Sequence, residues 1–158
     1  DNLDLVDLPE SYTELYGRAQ SPHASAAAAA AEGGAGHEID PAVCLICGQV
    51  LAAGSKPHNR HVGECTLHAR DCGSGVGVFF LVQRCVVLLI RDSRGAYFPS
   101  IYLDDHGEED AGLKRGRPLF LNRHRYDALK QLYLRHRVAQ EVSAIRASSD
   151  RVIRENYY

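Results

Sequence analysis

The chain has 158 residues, 45% of them apolar and 24% charged, a composition suited to one folded domain and not to a disordered tract or a coiled coil. A formal charge of -2 withholds the bulk positive field on which nonspecific nucleic-acid or membrane-surface binding relies. The most apolar run, Val76 to Ile90, is broken by Gln83 and Arg84 and falls short of the roughly 20 residues that a spanning helix needs, so neither nucleic acid nor a membrane is an expected partner.

In chain order, Asp7-Leu8-Pro9-Glu10 reads as a helix start, with Leu8, Tyr12, Leu15 and Tyr16 forming one apolar stripe. Residues 1–18 are expected to form this N-terminal helical segment. Residues 19–40, dominated by Ala, Ser, Gly and His, read as a flexible linker, which leaves 41–158 as the main domain. Within it, Val76–Val82 and Cys85–Ile90 are rich in β-branched and aromatic residues, and a turn at 92–95 leads to a third short strand, Ala96–Phe98. The expected fold is therefore α+β: a three-stranded antiparallel meander packed on C-terminal helices. Asn122 caps the first of these, whose apolar side holds Tyr126, Leu129, Leu132 and Tyr133, and Val138–Ala147 forms a second, less apolar helix.

The chemistry lies ahead of the meander. Cys44-Leu45-Ile46-Cys47-Gly48 is a knuckle in which the glycine permits a tight turn, and Cys65-Thr66-Leu67-His68 follows after the loop 48–64. Two pairs with two-residue gaps match a structural tetrahedral zinc site better than a disulfide framework, for which five cysteines are an odd number. The first expected ligand set is Cys44, Cys47, Cys65 and His68. Cys72 is the alternative, because it lies one helical turn beyond His68 and shares its face. His58 and His61 are read as solvated loop residues. Cys85, inside a Val- and Leu-rich run, is read as a small hydrophobe and not as a nucleophile.

The segment Tyr102–Asp110 places five carboxylates ahead of Lys114, Arg115 and Arg117, without the alternating spacing of a calcium loop. Two readings stand: a solvated, salt-bridged loop, or a docking surface built on Tyr102, Asp104, Asp105, Glu108, Lys114, Arg115 and Arg117.

Taken together, Asp7-Leu8-Pro9-Glu10, Cys44-Leu45-Ile46-Cys47-Gly48, Cys65-Thr66-Leu67-His68 with Cys72-Gly73-Ser74-Gly75-Val76-Gly77, and Tyr102–Glu108 continuing through Leu113–Leu119 resemble the extreme C-terminus of the UBR-box N-recognins. These are large RING-type E3 ubiquitin ligases of the N-degron pathway. The resemblance runs over nearly the whole chain. It implies a zinc-binding autoinhibitory domain that folds back on the substrate-binding parts of the ligase, in a cytoplasmic and nuclear protein. Partners through the parent would be a ubiquitin-conjugating enzyme and N-degron substrates. The chain itself is expected to be noncatalytic and, having no methionine, to be the terminal piece of a much longer protein. The competing reading is a module that binds a substrate or cofactor peptide directly. A stand-alone zinc enzyme is disfavoured, because it would need an open coordination position and a nearby base.

Overall fold

A computed structural model describes residues 4–20, 40–54, 62–148, 153, 157 and 158. Most of the expected linker, and both His58 and His61, lie outside the described residues. The fold is α+β around a five-stranded antiparallel sheet in the order β2-β1-β3-β4-β5. Its strands are β1 (Asp40–Cys44), β2 (Val50–Ala53), β3 (Val76–Leu81), β4 (Val86–Arg91) and β5 (Arg94–Phe98). A small ribbon pairs β6 (Tyr102–Leu103) with β7 (Phe120–Leu121). The α-helices are α1 (Tyr12–Ala19), α2 (Glu64–Cys72), α3 (Arg123–Leu134) and α4 (Val138–Ser148).

The consecutive β3, β4 and β5 pair as expected, but the sheet is wider than a three-stranded meander. Asp40-Pro41-Ala42-Val43-Cys44 and Val50-Leu51-Ala52-Ala53 carry little intrinsic strand preference. They become strands because the knuckle folds them into a hairpin whose inner member pairs with the free edge of β3, setting Val43 opposite Phe80. Cys85 also departs from expectation. It lies in the turn before β4 at φ 53° and is buried, with Sγ 3.5 Å from Ser100 Oγ. Burial pushes its thiol up to about 11, which favours the uncharged form at neutral pH.

Near-continuous apolarity in β3 and β4 predicts that both faces of the sheet are covered, and both strands are buried along most of their length. Successive side chains point to opposite faces, so Phe79 and Phe80 report on the two covers. Phe79 meets the ring of His68 from α2 at 6.1 Å, whereas Phe80 meets Tyr102 at 5.3 Å. Of the C-terminal helices, it is α4 that packs most closely on β4 and β5, with Arg91 Nη1 donating to Ser143 Oγ at 2.7 Å. The more apolar α3 begins at Asn122, whose Oδ1 accepts the amide of Arg125 at 3.0 Å. It packs instead against the N-terminal segment, where the Tyr126 hydroxyl donates to the carbonyl of Val6.

That segment is not a separate helical unit. Residues 4–10 do not adopt helix: the Leu121 amide donates to Glu10 O at 2.8 Å and the Tyr12 amide to Leu119 O at 3.0 Å, so pairing with β7 overrides the helix-start pattern at Asp7. Leu5, Leu8, Tyr12, Leu15 and Ala19 are all buried in the common core. The Tyr12 hydroxyl crosses to Val82 O at 2.5 Å. Removing it as Tyr12→Phe leaves a buried carbonyl unpaired and should cost about 1–2 kcal/mol. Urea unfolding of the metal-loaded chain checks this; an unchanged midpoint would show that residues 4–19 are peripheral to the core.

Candidate metal centre

The hairpin turn between β1 and β2 supplies the first two donors. The Gly48 amide donates to Cys44 O at 2.7 Å and the Cys44 amide to Gln49 O at 2.8 Å, closing a turn that Gly48 completes at φ 86°. Helix α2 supplies the others, because His68 and Cys72 stand one turn apart on one face. Cys44 Sγ, Cys47 Sγ, a ring nitrogen of His68 and Cys72 Sγ all lie within 4.8 Å of one another. The knuckle meets the C-terminal half of α2, so the structure assembles the Cys72 set and not the Cys65 set. Cys65 points into the core at the opposite end of the helix and is fully buried. Spacing alone leaves the choice open, since Cys65 and Cys72 flank His68 by about one turn on either side.

The donor spacing fits a tetrahedral ion. Zinc with Zn–S near 2.3 Å and Zn–N near 2.0 Å requires S···S edges of about 3.8 Å and S···N edges of about 3.5 Å. Cys44 Sγ and Cys72 Sγ are 4.0 Å apart, and Cys47 Sγ is 3.3 Å from His68 Nε2. The group can therefore hold a metal ion and is compatible with zinc. Burial pushes the Cys44 thiol up to about 12, partly offset by the amides of Cys47 and Ile46, with Cys47 and Cys72 adding to the rise. The Cys72 thiol is raised for the same first reason. Burial lowers His68, against the opposing pull of Asp71, and so favours the neutral ring that a metal requires. Beside the centre runs an apolar groove of about 700 Å³, lined in part by Cys72, Ile46, Val76, Tyr133, Leu134 and Val138.

The charged arm forms a salt-bridged loop in which two residues of the expected docking surface turn inward. Tyr102 and Asp104 are buried, which removes them from any docking surface. The Tyr102 hydroxyl donates to Pro9 O at 2.6 Å, pinning the ribbon to the N-terminal segment. Asp104 Oδ1 accepts the amides of His106 and Glu108, both at 2.9 Å, and these bonds, together with Arg115, hold its carboxyl below the usual carboxylate range. Arg115 bridges three carboxylates: Nη1 lies 2.9 Å from Glu108 Oε2, Nη2 3.4 Å from Asp104 Oδ2 and Nε 3.8 Å from Asp110 Oδ1. Arg115 and Glu108 are tied to each other yet both stay exposed. Asp105, Lys114 and Arg117 remain exposed, Asp105 and Arg117 facing each other at 3.5 Å.

Residues 2–135 match the family model described as Proteolysis_6 C-terminal. Among curated proteins, the chain is 35% identical over 144 residues to the E3 ubiquitin-protein ligase UBR2 of Homo sapiens, covering 87% of this chain and 8% of that protein. It is 38% identical over 133 residues to human UBR3, covering 84% and 7%, and 35% identical over 145 residues to UBR1 of Mus musculus, covering 88% and 8%. The chain therefore spans less than a tenth of the length of these relatives.

Two substitutions separate the ligand sets. Cys72→Ser should weaken zinc binding by at least about tenfold, whereas Cys65→Ser should leave stoichiometric zinc in place; competition with a chromophoric chelator reads both, and the opposite ranking would restore Cys65 as the ligand. A pH series gives a second check. Because the buried thiols stay protonated without a cation, metal uptake releases protons, and affinity should fall about tenfold per pH unit for each proton released as the pH is lowered from neutrality. A flat profile would exclude thiolate ligation.

Proposed function

The chain belongs to the Proteolysis_6 C-terminal family, and from that membership we propose a noncatalytic regulatory role within an E3 ubiquitin ligase of the N-degron pathway. The reading is carried by the match over 84–88% of the chain to UBR-type ligases of which it spans only 7–8%. Ubiquitin transfer and degron recognition then belong to other parts of a parent protein with a RING-type centre. One zinc ion on Cys44, Cys47, His68 and Cys72 fills a structural role here, since four protein donors leave no open position for a substrate or an activated water. It ties the β1–β2 hairpin to α2 and supplies rigidity.

In this reading the domain docks on other domains of the same ligase and restrains substrate binding until degron ligands displace it. The exposed charges Asp105, Lys114 and Arg117 suit that task, because mixed-sign rim charges set register and on-rate without making the contact irreversible. Asp104 is buried beneath that surface and is an unsuitable probe.

The test uses the full-length ligase. Asp105→Lys combined with Lys114→Glu should tighten binding of an N-degron peptide by about tenfold, the usual size of an intramolecular coupling. Fluorescence anisotropy with a labelled peptide measures it. Unchanged affinity, or capture of external peptides by this chain with no capture of the ligase's other domains, would overturn the docking role in favour of a direct peptide-binding module.

A further inference from the structure

Helix α2 lacks an ordinary cap. Its N-cap residue is Gly63, which has no side chain to accept the amides of the first turn. Those amides are nevertheless satisfied: the carbonyl oxygen of Tyr158 accepts from Cys65 N at 2.8 Å and from Thr66 N at 3.2 Å. These are the two positions that a capping Ser or Asp would normally serve. A residue far away in sequence therefore replaces the local cap.

The glycine is there for space. Gly63 has φ -67° and ψ 159°, angles open to any residue, so conformational freedom does not require it. A Cβ at that position, however, would fall 1.9 Å from the carbonyl carbon of Tyr158 and 2.1 Å from its oxygen. The backbone of Tyr158 lies in a cradle that only glycine leaves open.

The other end of Tyr158 is held as specifically. Its side chain is buried, its hydroxyl lies 2.9 Å from Arg84 Nη1, and it also bonds the hydroxyl of Tyr97. The ring packs edge-on to Tyr97 at 6.1 Å and to Tyr157 at 4.8 Å. Arg84 is itself placed by Asp40, whose carboxylate accepts the amides of Gln83 and Arg84 at 2.7 and 2.9 Å. Main-chain oxygen, phenol and ring thus each have a dedicated partner, from α2, from the turn ahead of β4 and from β5.

We propose that Gly63, the first turn of α2, Arg84 and Tyr97 form a recognition pocket for a tyrosine-bearing peptide segment, filled in this structure by the chain's own Tyr158. The pocket selects tyrosine over phenylalanine through Arg84 and Tyr97, and selects an accessible main-chain oxygen through the amides of Cys65 and Thr66. Filling it caps the helix that carries His68 and Cys72, so the tail and the metal half-site share one element. This inference stands on the geometry of α2 and does not depend on the regulatory role above.

The test supplies the ligand from outside. A zinc-loaded chain ending at residue 156 should bind a labelled peptide of residues 153–158 saturably. A Tyr158→Phe peptide should bind at least about tenfold more weakly, in line with loss of a hydrogen bond to a charged donor. The same truncated chain with Gly63→Ala, and the intact chain whose pocket is already filled, should not bind. Absence of saturable binding by a truncated chain with an intact circular dichroism spectrum would overturn the proposal. Should truncation prevent folding, Gly63→Ala in the full chain decides: the amides of Cys65 and Thr66 should exchange with solvent at least about tenfold faster than in the unmodified chain, since their acceptor is then displaced. Equal rates would overturn the proposal.

Discussion

Four donor atoms from two separate elements must sit within 4.8 Å of one another, and this convergence sets the terms for the rest of the domain. Thiols gathered so tightly in a partly buried place cannot all ionise unless a cation joins them, as the upward shift at Cys44 reflects. The fold therefore has to bring a β-hairpin and a helix together with a precision of a few tenths of an ångström. It does so by anchoring both on β3. The hairpin pairs with β3 through β1, and the Leu45 amide donates to Val78 O at 2.8 Å, while α2 lies over the same strand with His68 against Phe79. The sheet is thus the common reference for both halves of the centre, and the tail at Tyr158 fixes the far end of the helix.

A second constraint concerns charge. The run of acids after Tyr102 and the bases after Leu113 look like surface features in a linear reading, yet much of their interaction is spent within the chain. Asp104 is buried with two amides on its Oδ1, while its Oδ2 makes no hydrogen bond and meets only the Arg115 guanidinium at 3.4 Å. Asp110 is likewise buried and accepts the amides of Arg115 and Gly116. Since Asp104 is held below the usual carboxylate range, its contribution to stability is present above that range and is lost as pH falls through the lowered value. The arm keeps its shape at neutral pH, with Asp104 and Asp110 turned inward and its other charges facing outward.

What could be read ahead of the structure follows from how local each signal is. Asn122 announces its helix because an N-cap acts within three residues, and β3 and β4 are legible because buried central strands show unbroken apolar runs. The Cys44–Cys47 knuckle is equally local. Readings failed where a distant partner decided the outcome. Asp7-Leu8-Pro9-Glu10 satisfies the pattern of a helix start, but Leu121 claims the Glu10 carbonyl. Asp40–Cys44 contains a proline and an alanine and becomes a strand only because β3 offers an edge. Cys65 and Cys72 are equivalent in spacing around His68, and only the approach of the knuckle to one end of α2 separates them. Tyr102 looks solvated beside a run of acids, but its hydroxyl is drawn inward by the distant carbonyl of Pro9.

The stitching of the N-terminal segment has a mechanical consequence. The Val6 amide donates to Leu45 O at 2.8 Å, and Leu45 stands immediately after Cys44. Two further ties, from Tyr126 to Val6 O and from Tyr102 to Pro9 O, clamp the same stretch to α3 and the ribbon. Tension applied to the chain ahead of residue 4 would reach the knuckle after crossing very few covalent bonds, before it loads the core strands. The domain is wired so that a pull on its N-terminal side strains the Cys44 half of the centre first, leaving the helix half anchored by Tyr158.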